Sequence, residues 1–297
     1  MTEGRDDTKA RRRRRRDQRL KHPPPMQLTG RDKQVIEAVY QYRVLRQDQV
    51  QKLFFGSKST AQSRLARLYD HGFLERQFLL VRGGIMNSPI VYLLDRKGAE
   101  LLRAECGYED VRWHGRGKTL SSDFMDHALA INDFRIAVEL ASRRLGYQVV
   151  TWLGETELKA DYDRVSLRSA TGRQRMVSLI PDSYFVVDTP HGKAHFFLEV
   201  DRGTMPLKRF RTKVQAYLAY YRSGGYERRY GTRSLRILVV GLGEGRLASL
   251  STVTESAGGK RRFWFGLLSA LDAERVLDQS VWSVAGEERH MALIEPA

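Results

Sequence analysis

The sequence predicts a mixed α+β and α/β chain, in which a small helical unit closed by a β-ribbon precedes a larger unit running helix, three strands, helix, strand. Three observations predict it. Apolar residues recur at helical spacing between Val35 and Leu68, which marks amphipathic helices. Two apolar runs then flank Gly83-Gly84, the mark of a β-ribbon. Beyond residue 120 a long amphipathic helix gives way to apolar runs at Tyr147–Leu153, Met176–Val187, Ala194–Val200 and Leu235–Val240, which read as strands.

Residues 1–27 form no part of that plan. They hold six consecutive arginines, Arg11 to Arg16, followed by Pro23-Pro24-Pro25. Self-repulsion and the shortage of apolar side chains predict a disordered basic arm, suited to neutralising phosphates without reading sequence. The bulk charge agrees: 51 Lys and Arg against 35 Asp and Glu give +16, an excess that favours a polyanionic partner. Cys106 is the single cysteine, so no intrachain disulfide forms and a reducing, cytoplasmic setting is expected. No apolar run reaches membrane-spanning length, and proline replaces the apolar core that a signal peptide needs, so no membrane partner is expected.

Residues 28–102 build the first unit. Thr29 caps a helix whose inner face is Val35, Ile36, Val39 and Tyr40. Val44–Phe55 supplies a short second helix through Val50, Leu53 and Phe54. Ser59 starts a third, with Gln62 three residues on as a capping box. Ala61, Leu65 and Leu68 face inward, and Gly72 ends the helix. Strands Phe73–Val81 and Ile90–Leu94 follow around the glycine turn, and Asp95 caps a last short helix. Three helices and a ribbon give the order of a winged helix-turn-helix. Residues 103–120, rich in Gly and Arg, read as a linker.

The third helix then carries the nucleic-acid chemistry. Its outer face presents Lys58, Thr60, Gln62, Ser63, Arg64 and Arg67. Arg pairs with guanine, Gln with adenine, and hydroxyls with phosphates or bases. Arg82, at the ribbon tip, is placed to enter an adjacent minor groove. The expected partner is double-stranded DNA.

Residues 121–297 hold the second unit. Asp123–Arg144 is its opening helix and Pro206–Tyr221 its second, with a further short helix at Leu271–Leu277. In Phe197-Leu198-Glu199-Val200-Asp201, alternation puts Glu199 and Asp201 on one side of the strand. Asp182 follows Pro181 at the preceding strand, and Lys213 precedes Tyr217 by one helical turn. Asp182, Glu199, Asp201 and Lys213 are the candidate catalytic residues. Asp182 and Glu199 are the candidate metal ligands, since Mg²⁺ prefers carboxylate oxygens and would polarise a phosphate if the site is active. Glu155 and Glu139 are further acids within reach of such a site, and His127 reads as a hydrogen-bonded packing residue. Gly241-Leu242-Gly243-Glu244-Gly245 reads as a turn, because a dinucleotide loop needs another glycine spacing.

Pro181-Asp182 followed by Glu199-Val200-Asp201, in the order α-β-β-β-α-β, resembles the PD-(D/E)XK restriction-endonuclease-like core. Asp182 and Glu199 match its second and third motifs. Asp201 stands where the in-line lysine belongs, and Lys213 is the candidate replacement from the following helix. With His127-Ala128-Leu129, the segment Phe197 to Thr204, Lys213, Tyr217 and Leu235–Val240, the chain from about residue 30 to 270 resembles the replication-relaxation family of bacterial plasmid and mobile-element proteins. That resemblance implies a role in plasmid replication or mobilisation. Read as a mobilisation accessory factor, the chain would recruit a relaxase or replication initiator through its second unit, and a homodimer is a further expectation. A transcriptional regulator with an inactive C-terminal dimerisation or partner-binding domain stands beside it as the alternative.

Overall fold

A computed structural model describes residues 15–79, 88–113, 119–168 and 172–295. The chain divides into two compact units, Met1–Asp126 and His127–Ala297. No helix among the described residues is long and apolar enough to cross a membrane.

The first unit holds α1 (Gly30–Gln41), β1 (Leu45–Arg46), α2 (Gln47–Phe54), α3 (Lys58–Asp70), β2 (Leu74–Phe78), β3 (Ile90–Leu94) and α4 (Arg96–Glu105). Thr29 caps α1 in a reciprocal box with Asp32: its side chain accepts from the Asp32 N–H at 3.2 Å, and its own N–H donates to the Asp32 carboxylate at 2.7 Å. Ser57, not Ser59, caps α3. It holds extended backbone and accepts from the Thr60 N–H at 3.2 Å, so the helix starts two residues earlier than the Ser59–Gln62 pattern suggests. Gly72, at φ +83°, closes α3. The Phe73 N–H then returns to the Leu68 carbonyl at 3.0 Å, which satisfies an end-of-helix acceptor.

Leu45–Arg46 was expected as the start of a helix, yet it pairs with Val91–Tyr92 of β3, giving a three-stranded antiparallel sheet in the order β1-β3-β2. Two buried apolar residues, Val44 and Leu45, are too short a run to declare a strand without its partner. Segments expected to be loose are packed. Val111 is buried and its carbonyl accepts from Arg103 at 2.6 Å, so part of the 103–120 segment is tied to α4. The described part of the N-terminal arm also differs from the expected disorder. Arg19 donates to the Leu74 carbonyl (2.8 Å), Glu75 (3.1 Å) and Asp95 (2.6 Å), and lies over the Tyr69 ring. Tyr69 donates to the Asp17 carbonyl, and His71 meets the Pro24 carbonyl. One half-buried arginine with two carboxylates outweighs the repulsion that composition suggests.

The second unit is built on a six-stranded mixed sheet. Its elements are α5 (Ser122–Leu145, which begins within the first unit), β4 (Gln148–Gly154), α6 (Glu155–Ala160), β5 (Asp163–Arg168), β6 (Gln174–Leu179), β7 (Ser183–Thr189), β8 (Gly192–Asp201), α7 (Leu207–Arg222), α8 (Gly225–Tyr230), β9 (Arg236–Gly241), α9 (Glu244–Ser256), β10 (Phe263–Leu267) and β11 (Ser283–Val284). The sheet order is β11-β10-β9-β8-β7-β4, with β8, β9 and β10 parallel and the rest antiparallel. Along this sheet the succession α5-β4-β7-β8-α7-β9 gives the order helix, three strands, helix, strand. Alternation along β8 sends Phe196, Leu198 and Val200 to the core with α5, and Phe197 to the core with α7 and α9.

Three local expectations change. Met176–Val187 is two strands, broken at Pro181-Asp182: β6 leaves the main sheet to pair with β5, while β7 enters it. Leu271–Leu277 is a run of turns with Leu271, Val276 and Leu277 buried, not a helix. The glycine segment after β9 is the lead into α9, with Gly243 in the capping position.

Candidate functional site

The outer surface of α3 is the first candidate. Ala61, Leu65 and Leu68 are fully buried, which fixes the helix's rotation. Lys58, Thr60, Gln62 and Ser63 are thereby exposed, clustered in its first two turns. Those turns also present backbone N–H groups and the positive end of the helix dipole. Lys58 is the cation of this group.

Arg64 requires a correction. It projects from the inner edge of the expected face, where its guanidinium grips the buried Asp32, with Nε at 2.9 Å from one oxygen and Nη2 on the other. Burial works to raise the Asp32 pKa, but the hydrogen bonds from Arg64 and Thr29 hold it below the ordinary value. Arg64 therefore locks α3 to α1 and is not a free reading side chain. Arg67 is half-buried and donates to the Pro25 carbonyl at 3.0 Å, so it holds the arm against α3. Arg82 lies outside the described residues.

The second candidate is the carboxylate cluster of the second unit. Asp182 stands just before β7 and is fixed to β8 twice: its N–H donates to the Leu198 carbonyl (3.0 Å) and its Oδ2 accepts from the Val200 N–H (2.7 Å). Its Oδ1 faces His127 Nε2 at 3.3 Å. Glu199, 5% exposed on β8, takes Lys213 Nζ on Oε2 and the Tyr217 hydroxyl on Oε1. Lys213 and Tyr217 lie one turn apart on α7, so one helix face supplies both donors.

Electrostatics bind these groups into one unit. Burial pushes the Glu199 carboxyl up to about 7, against the pull of Lys213 and with the help of Asp182. Burial also works to raise Asp182, but His127 and Lys213 hold it below the ordinary carboxylate value. Lys213 is held above its ordinary value by the two carboxylates despite its burial. The hydrogen bond to Asp182 raises His127, and burial next to Glu199 drives the Tyr217 hydroxyl well up.

The structure thus brings Asp182, Glu199 and Lys213 together and leaves Asp201 out. Asp201 shares the Glu199 side of β8, yet its two oxygens are held by Arg246 at 2.9 Å each, and Oδ1 also accepts from the Gly203 N–H at 2.8 Å. Arg246 lies on α9, an element the sequence did not declare. Glu139 pairs with Arg135 and Arg143, and Glu155 pairs with Lys159 but lies near enough to His127 to help raise it. His127 belongs to the cluster, as a hydrogen-bonded packing residue whose partner is Asp182. Its sequence signals were its place in the opening helix and in the His127-Ala128-Leu129 segment.

The donor set does not suit the expected metal. All four oxygens of Asp182 and Glu199 already accept from Val200 N–H, His127, Lys213 or Tyr217. A hard divalent cation would need several of those oxygens free, together with further oxygen ligands. Among the described residues no group of three or more His, Cys, Asp or Glu side chains could hold a metal ion.

Comparison with known proteins gives a family and a distant structural likeness. Residues 36–235 match the family model described as replication-relaxation. No curated protein matches. Among solved structures, the restriction endonuclease FokI is similar at 12% identity and a TM-score of 0.27, over 81% of this chain and 42% of that one. The chain therefore spans less than half the length of that enzyme.

Proposed function

The chain belongs to the replication-relaxation family, and from that membership we propose that it is a duplex-DNA-binding protein of plasmid or mobile-element replication or mobilisation, reading its site through α3. The observation that carries this reading is the exposed first half of α3, where Lys58, Thr60, Gln62 and Ser63 face solvent over a fully buried Ala61, Leu65 and Leu68. In a winged helix the equivalent helix enters the major groove and its N-terminal residues contact base edges. The sheet order β1-β3-β2 and the three preceding helices support that assignment.

The second unit, in this reading, is nuclease-like in element order but works as a rigid DNA-engaging scaffold, not as a metal-dependent cutter. Saturated oxygens on Asp182 and Glu199 support this. Lys213 and Tyr217 use Glu199 to fasten α7 to β8, and His127 uses Asp182 to fasten α5 to the β7–β8 pair.

Two measurements test the proposal. Selection of a preferred duplex, followed by Gln62→Ala with Ser63→Ala, is expected to weaken binding to that duplex far more than to random DNA, by about 1–3 kcal/mol per lost base contact. Equal losses on both duplexes would remove α3 as the reader. Supercoiled plasmid incubated with Mg²⁺ or Mn²⁺ is expected to stay supercoiled. Nicking that disappears in Asp182→Ala would show the scaffold reading to be wrong.

A further inference from the structure

We propose that the β5–β6 ribbon of the second unit is a separate DNA-contacting element, which inserts its outer face into a major groove; the proposal rests on the duplex-binding reading above. The ribbon is a two-stranded sheet of its own, outside the six-stranded sheet. One face is apolar and buried: Val165 lies opposite Val177, and Leu179 and Leu167 pack into the core beneath α7. Among the described residues no element covers the other face. In the register of the pair it carries Arg164 opposite Ser178, Ser166 opposite Met176, and Arg168 opposite Gln174. All six are exposed, and Met176 at its centre is 56% exposed.

Charge decides the occupant. From residue 164 to residue 181 the sequence contains four arginines, at 164, 168, 173 and 175, and no Asp or Glu. Arg175 reaches Thr212 on α7. Arg164 and Arg168 make no ion pair among the described residues, unlike Arg64, Arg229 and Arg246, which carboxylates hold. A face with a cation at each end, hydroxyls and an amide beside them, and no acid suits a phosphate-lined groove.

Dimensions agree with that occupant. Arg164 and Arg168 are four residues apart on one strand, about 13 Å at ~3.3 Å per residue. A B-DNA major groove is about 12 Å wide and admits a two-stranded ribbon. The two arginines therefore leave the strand at a backbone spacing close to the width of the groove. Ser166 and Met176 lie between them, Ser178 and Gln174 stand across from the two arginines, and Met176 supplies a flexible apolar contact of the kind a thymine methyl accepts.

The experiment uses the full chain and a random-sequence duplex in three arms. In the first, Arg164→Gln with Arg168→Gln is compared with wild type for the slope of log K against log salt. Losing two phosphate contacts is expected to reduce that slope by about 1.8, at ~0.9 per phosphate, with an unchanged urea midpoint because both side chains are exposed. In the second, a benzophenone amino acid replaces Met176 and is expected to crosslink to DNA on illumination. The third repeats both measurements in the Gln62→Ala, Ser63→Ala background, where the slope change and the crosslink are expected to persist. An unchanged slope, or a crosslink to protein only, overturns the ribbon proposal while wild-type binding remains. Absence of wild-type binding altogether overturns the duplex-binding reading itself, and the ribbon proposal falls with it.

Discussion

Replacing Arg246 by Met separates a structural Asp201 from a catalytic one. Asp201 is 6% exposed, its two oxygens are each 2.9 Å from the Arg246 guanidinium, and Arg246 also donates to the Met205 carbonyl. The substitution removes all three hydrogen bonds, keeps an unbranched apolar stem of similar length, and leaves the carboxylate with the Gly203 N–H as its remaining partner. Breaking a buried ion pair by deleting one member costs about 3–5 kcal/mol, because an uncompensated charge is left behind. The Arg246 side chain is 24% exposed, so water reaches the vacated position and the lower end, about 3 kcal/mol, is expected.

Urea unfolding followed by tryptophan fluorescence reads this loss, since Trp152, Trp264 and Trp282 all lie in the second unit. Adding Asp201→Asn to Arg246→Met is expected to restore part of the loss, because a neutral amide is far cheaper to leave buried than a carboxylate. The reasoning is refuted if Arg246→Met alone costs less than about 1 kcal/mol, the range of an exposed pair. A full loss of DNA-related activity at unchanged stability would return Asp201 to the functional site.

Other outcomes follow from the same packing. Glu199 has a folded pKa raised from an ordinary 4.5 to about 7, so its contribution to stability is fully present below pH 4.5 and is lost as pH rises through 7. His127, also raised, acts in the same direction: its contribution is present below its ordinary 6.5 and is lost as pH rises through the folded value. The urea midpoint of the second unit is expected to fall between pH 5 and 8, and Glu199→Gln to flatten that fall, leaving the share of His127; an unchanged profile in the variant contradicts the assignment. For Asp32 the sign reverses, because its folded pKa is lowered: the stability it gives the first unit is present above pH 3.8 and lost as acid takes it through the folded value, which Asp32→Asn should show as a weaker acid dependence. A Cβ added at Gly98 would stand 2.4 Å from the Phe73 carbonyl oxygen, and the backbone cannot retreat cheaply, so Gly98→Ala should cost about 1–3 kcal/mol in thermal melts of the first unit. Arg19→Ala removes one ion pair from each of Glu75 and Asp95; proteinase K should then cut within residues 15–27 at least about tenfold faster, equivalent to ~1.4 kcal/mol in local opening. Equal cutting rates would show that Arg19 does not hold the arm.

The legible parts of the fold are those that local chemistry determines. Thr29 and Asp95 cap helices as read, Gly72 closes α3 with positive φ, and the inward residues of α3 are those its spacing names. The continuous run Leu235–Val240 became the central parallel strand β9. What stayed hidden depends on partners distant in sequence. Leu45 is a strand residue only because Tyr92 lies across from it. The β5–β6 ribbon was only half read: Val165 and Leu167 alternate with Arg164, Ser166 and Arg168 over too short a run to stand out, and β6 was merged with β7 in the Met176–Val187 run.

The same dependence explains the site residues, and it changes how the charge of +16 should be counted. The sequence placed Arg64 on a reading face and Asp201 in an acidic cluster by spacing alone, which fixes the direction of a side chain but not what it meets. Asp32 and Arg246, 32 and 45 residues away, took both into ion pairs. Arg19 and Arg229 are held by carboxylates in the same way. A guanidinium already holding a buried carboxylate cannot also hold a phosphate without uncovering that charge, at the cost of breaking a buried pair. The cations that matter for DNA are therefore the exposed ones outside such pairs, and composition does not reveal which they are. Lys58 on α3 and Arg164 and Arg168 on the ribbon are among the described residues that meet that condition, so the salt dependence of binding should track exposed side chains of this kind and not the net charge.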